Sequence, residues 1–207
     1  MTSITSEAAP RRHVVTSPDA TALIPPVASA LAAWDALDLE IGELAIVTGG
    51  DAGSRIAALV ATWYGALPVV LVGAPDAPAP PAGVEPLVFA DPDAAMADLA
   101  ARIGKHPGVA AVDLSGRLEY VDLLLATIPM FARVMLAGPP RERLTIDFYS
   151  NVHRKGLILR STTFQPDSGD RDDVASRRVA RAASLLSDPS RLASAAAALS
   201  IIAPSNR

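Results

Sequence analysis

The sequence predicts an α/β protein on a doubly wound, mostly parallel sheet, with an extra N-terminal helix and C-terminal helices. Three observations carry that prediction. Short apolar runs alternate with runs of helical period along most of the chain. A strand, a glycine turn and a helix start stand together from Leu44 to Arg55. Half of the 207 residues are apolar, with a mean hydropathy of +0.30, enough to bury a substantial core.

The elements follow in order. Residues 1–12 read as a flexible tail ahead of one domain over 13–207, and His13-Val14-Val15 forms a short strand before the turn residues Ser17-Pro18-Asp19. Pro25-Pro26 precedes an Ala-rich helix from Val27 to Leu37, whose Val27, Leu31, Trp34 and Leu37 recur at helical spacing. Leu44 to Val47 is a strand, Gly53 to Tyr64 a helix burying Ile56, Leu59, Val60 and Trp63, and Val69 to Val72 a second strand. Together they make a βαβ unit. Ala74 to Pro86 then carries Pro75, Pro78, Pro80, Pro81 and Pro86; proline lacks the N–H and clashes with the preceding turn, so no helix runs here.

The alternation resumes with a strand at Leu87 to Phe89 and a helix at Asp93 to Ile103 started by Asp91-Pro92. A buried strand at Val109 to Leu114, a helix at Tyr120 to Ile128 and a strand at Ala132 to Ala137 follow. Two more strands are predicted at Leu144 to Phe148 and Leu157 to Ser161. The Ala-rich runs Asp170 to Leu186 and Ser190 to Ile202 form a helical pair over 170–202.

Composition excludes several functions. Charged residues are 19% of the chain and the net charge is -4, so no broad basic surface exists to neutralise a phosphate backbone, and nucleic acid is not an expected partner. The chain has no cysteine, which removes disulfides, redox thiols, thiolate zinc sites and cysteine nucleophiles. Its three histidines are scattered, so no metal site is expected. No run reaches transmembrane length and the N-terminus lacks an apolar signal core, so the expectation is a cytoplasmic protein with no membrane partner.

The candidate site begins at Thr48-Gly49-Gly50-Asp51-Ala52-Gly53. A strand, turn and helix start of this kind is how a Rossmann fold sets backbone N–H groups and a helix N-terminus against a pyrophosphate. The GxGxxG pattern is broken: Thr48 stands at the first glycine, Gly50 and Gly53 hold the second and third, and Asp51 puts a carboxylate where a phosphate would lie. Gly49, Gly50 and Gly53 therefore have two open readings, a phosphate cradle or a tight turn kept for packing. Ser115 and Gly116, and Ala137 and Gly138, either line the same cleft or form ordinary strand-end turns. His153-Arg154-Lys155 is either an anion site or a solvated turn.

No catalytic residue is assigned. Tyr64, Tyr120 and Tyr149 are followed four residues later by Pro68, Leu124 and His153 rather than lysine, and the chain has neither a GxSxG elbow nor a GxxxxGK[ST] loop.

Further stretches carry a resemblance. Leu39-Glu40-Ile41-Gly42-Glu43 before Ala45-Ile46-Val47 looks like the "pGe" turn of a first Rossmann strand. Val112-Asp113-Leu114-Ser115-Gly116 is similar to a D-x-T-G strand end, Ala132-Arg133-Val134-Met135-Leu136-Ala137-Gly138 to a "G-R-V-V-L-V-G" fifth strand, and Thr145-Ile146-Asp147 through His153 to Ser161 to a closing segment. In this order they resemble the nucleotide-binding half of a medium-chain dehydrogenase/reductase, the zinc-type alcohol and polyol dehydrogenase family.

The resemblance implies a Rossmann fold and NAD or NADP as cofactor, bound by Thr48, Gly49, Gly50, Asp51, Gly53, Gly73, Ser115, Gly116, Ala137 and Gly138. It also implies homodimers joined edge to edge through the strand matched by residues 144–148. The departures imply degeneracy. The GroES-like catalytic domain is absent apart from what looks like its last strand at His13 to Thr16, and with it the zinc ligands and substrate pocket. Gly73 replaces the acid that would accept the ribose hydroxyls, and Ala74-Pro75-Asp76 follows instead of an arginine for a 2′-phosphate. The expected function is a dehydrogenase-like binding or assembly subunit without dehydrogenase activity of its own. The alternative is an NAD(P)-dependent oxidoreductase completed by a separate catalytic subunit or by a rebuilt compact site.

Overall fold

The computed structural model describes residues 20–104, 106–143, 145–161 and 172–200. Six strands form one sheet: β1 (Leu44–Thr48), β2 (Val69–Gly73), β3 (Glu85–Val88), β4 (Val109–Asp113), β5 (Arg133–Leu136) and β6 (Ile158–Ser161). Their order is β3-β2-β1-β4-β5-β6 and every neighbouring pair is parallel. The order reverses between β1 and β4, and ligands of doubly wound sheets bind at such a switch point, beyond the strands' carboxyl ends.

Strand residues alternate between two cores. Ala45, Val47, Val69, Leu71, Ala110, Val112 and Met135 face α1 (Ala20–Ala36), α2 (Ala52–Trp63), α5 (Asp172–Leu186) and α6 (Pro189–Leu199). Leu44, Ile46, Val70, Val72, Val109, Ala111 and Val134 face α3 (Pro92–Ile103) and α4 (Leu118–Thr127). Burial on both faces explains why β1, β2 and β4 read as unbroken apolar runs. Trp34 is fully buried and donates its indole N–H to the Ala57 carbonyl at 2.9 Å, fixing α1 to α2. Among the described residues no helix is long and apolar enough to cross a membrane.

Several expectations need correction. Helix α1 starts at Ala20, seven residues before the expected Val27, and runs through Pro25 and Pro26. Thr21 and Ala22, four residues before the two prolines, are exposed, while buried Leu23, Val27 and Leu31 hold the helix down. The predicted strand Leu44 to Val47 extends to Thr48. The predicted strand Leu87 to Phe89 forms as Glu85–Val88 and includes Pro86, which is admissible because β3 is an edge strand paired only with β2.

The predicted strand at 144–148 does not form. Thr145, Ile146 and Asp147 are irregular, Phe148 enters a π-helical turn over Tyr149–His153, and Leu144 lies outside the described residues. Asp147 organises that turn by accepting the Ser150 N–H at 3.0 Å, so a local cap wins over β propensity. The tail 1–12, the strand at His13 to Thr16, and residues 170–171 and 201–202 of the predicted helical pair lie outside the described residues.

Candidate functional site

The site is built on the β1–α2 turn. Thr48 is the last strand residue, and Gly49 makes the bend at φ +122°, a backbone that favours glycine; a Cβ there would also strike the Ser54 hydroxyl. The turn glycine has moved one place along the chain, which leaves position 48 free for a side chain. Thr48 uses it: its hydroxyl donates to Asp113 Oδ1 at 2.6 Å, at the end of β4.

Asp51 is the N-cap of α2. Its Oδ1 accepts the Ser54 N–H at 2.8 Å and the Ser54 hydroxyl at 2.7 Å. The carboxylate thus holds one of the helix's first free donors and sets negative charge at its positive end, the place a bound phosphate would take.

Asp113 is 1% exposed and both its carboxylate oxygens accept hydrogen bonds. Besides Thr48, Oδ1 accepts the Ser115 hydroxyl at 2.6 Å and the Ser115 N–H at 3.1 Å, while Oδ2 accepts the Gly116 N–H at 3.2 Å. Ser115 Oγ in turn accepts the Arg117 N–H at 3.1 Å. This network shapes the β4 end: the Ser115 hydroxyl is spent on the Asp113 carboxylate, whose Oδ1 takes three donors and Oδ2 one.

Gly116 and Gly138 belong to the same shaping. Gly116 has φ +63° and faces the Pro139 carbonyl, and a Cβ on Gly138 would lie 2.6 Å from the Leu114 carbonyl carbon. Ala137 is buried in the core. Of the candidates beyond the glycine turn, Ser115 lines the cleft over the switch point, and Gly73 lines a second cavity beside it.

That cleft has a volume of about 360 Å³ and gathers residues the sequence did not single out: Arg117, Tyr120 and Arg141 opposite Gly49, Gly50 and Asp51, with Asp76 beside them. Arg117 is engaged with Glu119 at 3.0 Å. Tyr120 is 5% exposed and packs on Phe89 with ring centroids 4.7 Å apart. Burial, followed by the charge of Glu119, pushes its hydroxyl above the ordinary tyrosine pKa, so it stays a proton donor at neutral pH. In the sequence Tyr120 starts a predicted helix and fails the tyrosine–lysine spacing, and Arg117 is only the residue after Ser115-Gly116.

The loop after β2 sits over the glycine turn. A Cβ on Gly50 would lie 3.0 Å from the Ala77 methyl, and one on Gly73 would lie 3.1 Å from it. The Ala77 N–H donates to the Ala74 carbonyl at 2.9 Å, closing a tight turn within the proline-rich stretch. The Ala77 methyl thus occupies the space beside the Gly50 α-carbon in which a Cβ would stand.

His153-Arg154-Lys155 is not an anion site through its lysine. Lys155 Nζ donates to the carbonyls of Leu125, Ala126 and Ile128 at 2.7, 2.8 and 3.0 Å, capping α4. Burial lowers its pKa. The chain has no cysteine, and among the described residues no group of three or more His, Asp and Glu is placed to hold a metal ion.

The architecture matches solved dehydrogenases. Galactitol-1-phosphate dehydrogenase from Escherichia coli superposes with a TM-score of 0.69 at 15% identity, over 84% of this chain and 51% of that one. The fold is that of one half of a zinc-type dehydrogenase. 2R,3R-butanediol dehydrogenase from Bacillus subtilis gives 0.63 at 18% identity, over 81% and 48%. A zinc-binding dehydrogenase from Sinorhizobium meliloti 1021, solved bound to NADP, gives 0.62 at 18% identity, over 83% and 50%. This chain therefore spans about half the length of the dehydrogenase chains it matches. No family model matches the chain, and no curated protein matches it in sequence.

Proposed function

We propose that this protein is a dehydrogenase-like binding or assembly subunit whose nucleotide site is degenerate, without dehydrogenase activity of its own. The observation that carries the reading is the Asp51 carboxylate on the N-terminus of α2, where it takes the Ser54 N–H and opposes a second negative charge. Gly73 at the end of β2 adds to it, since it offers a ribose no acceptor. The buried network around Asp113 adds a structural use for that carboxylate, which ties the end of β4 to Thr48 and Ser115. Cytoplasmic location belongs to the same reading.

Calorimetry with NAD and NADP tests it. The expected result is no saturable binding at micromolar ligand, and a micromolar Kd for either overturns the degenerate reading. A second reading is favoured by the open 360 Å³ cleft beside Gly49 and Asp51: an NAD(P)-dependent oxidoreductase completed by a separate catalytic subunit. Co-purification with a partner chain that brings turnover decides for it.

Self-association is part of the proposal. The homodimer expected through residues 144–148 has no strand there among the described residues, in which β6 is the last strand of the sheet and Phe131, Tyr149 and Ile158 are 75%, 65% and 47% exposed. An open edge with exposed apolar side chains is a template for pairing with a second copy.

A further inference from the structure

We infer that Ala77 is a specificity-determining residue: its turn divides the cleft over β1 and β2 and denies the Gly50 backbone to diphosphate-bridged ligands. This rests on the nucleotide reading of the cleft and adds to it a cause within this chain's own residues.

The geometry is specific. The Ala77 methyl stands 3.0 Å from the Cβ position of Gly50 and 3.1 Å from that of Gly73, closer than ordinary van der Waals contact. A side chain at either position forces the Ala77 turn to give by a few tenths of an ångström. In a dinucleotide site the glycine at the second position exists so that the pyrophosphate can approach the backbone. Here a methyl group makes that approach.

Ala77 also walls both cavities flanking the turn. On one side lies the 360 Å³ cleft with Asp51, Ser115, Arg117, Tyr120 and Arg141; on the other lies an apolar one of about 330 Å³ with Leu71, Gly73, Pro80 and Leu87. Gly49, Gly50, Ala74 and Pro78 line the two together, so they are one groove partitioned by the turn. The partition is stiff. Pro75, Pro78 and Pro80 restrict the loop's backbone, and the Ala77 N–H is bound to the Ala74 carbonyl. A ligand confined to one half binds with the turn in place, whereas one that lays a diphosphate over Gly50 must first displace it.

ADP is the probe, titrated by calorimetry against wild type, Ala77→Gly, and a Gly73→Cys/Ala77→Cys pair in this cysteine-free chain, with thermal melts checking that each is folded. The pair lies within reach of a disulfide after a shift of a few tenths of an ångström. Ala77→Gly is expected to bind ADP at least about tenfold more tightly than wild type. The oxidised pair, in which the turn is tied to residue 73, is expected to bind no ADP. Equal micromolar affinities for wild type and Ala77→Gly overturn the divider and the degenerate reading together, and undiminished binding by the oxidised pair overturns the divider. Binding by none of the forms, Ala77→Gly included, overturns the divider and leaves the degenerate reading standing.

Discussion

Thr48 and Asp113 are joined by a 2.6 Å hydrogen bond between the ends of β1 and β4, at the point where the sheet order reverses. The position that a dinucleotide fold gives to its first glycine here pins two central strands together. Thr48→Val, close in shape, leaves a fully buried carboxylate short of one donor and is expected to destabilise the fold by about 1–3 kcal/mol in urea denaturation. Thr48→Ser, which keeps the hydroxyl, should recover most of that loss.

Asp51 tests whether charge or shape governs the cleft. Asp51→Ser keeps an N-cap and removes the negative charge, so the protein should stay folded while NADP affinity rises by roughly tenfold in calorimetry. Gly73→Asp alone should not add NAD affinity, because its Cβ would meet the Ala77 methyl at 3.1 Å.

Lys155 serves stability. Lys155→Met removes three charge-assisted hydrogen bonds to the end of α4 and is expected to cost about 1–2 kcal/mol, after allowance for partial exposure of the ammonium. An unchanged melting curve would show that water replaces the lysine freely.

Asp188 gives an acid limb to helix α6. Hydrogen bonds from the Ser190 hydroxyl and N–H and from the Arg191 N–H hold its pKa below the ordinary 3.8. The unfolded chain then binds the proton more readily, so the stability this cap contributes is fully present above pH 3.8 and is lost as pH falls through the lower folded value. Hydrogen exchange at the Ser190 and Arg191 amides should accelerate over that range. Asp188→Asn should not show the step.

Edge pairing is tested at Ile158. Wild type should scatter light as a dimer at high micromolar concentration, and Ile158→Lys, a charge on the exposed edge strand, should give monomers. A monomeric wild type, or a dimer indifferent to the lysine, removes β6 as the interface.

The sheet was legible because its strands are buried on both faces: Leu44 to Val47, Val69 to Val72 and Val109 to Leu114 are apolar throughout and bounded by turn residues. The edges were not. Ile146 and Asp147 carry a weak strand signal that the Asp147–Ser150 hydrogen bond overrides, and Pro86 is harmless only because β3 has one neighbour. Helix α1 was placed late because two prolines read as a start, when burial of Leu23 extends it past them.

By itself the sequence determined the alternating fold, the glycine turn and the carboxylate at its helix start, since these depend on local pattern: apolar period, turn chemistry and capping. Only the tertiary structure decided what those residues do. Asp113 accepts from Thr48, Ser115 and Gly116, Lys155 closes α4, and Ala77 lies on Gly50 and Gly73. Each of these outcomes depends on groups brought together by strand order and loop path, and the interactions fall off within a few ångströms. No spacing along the chain encodes such a distance.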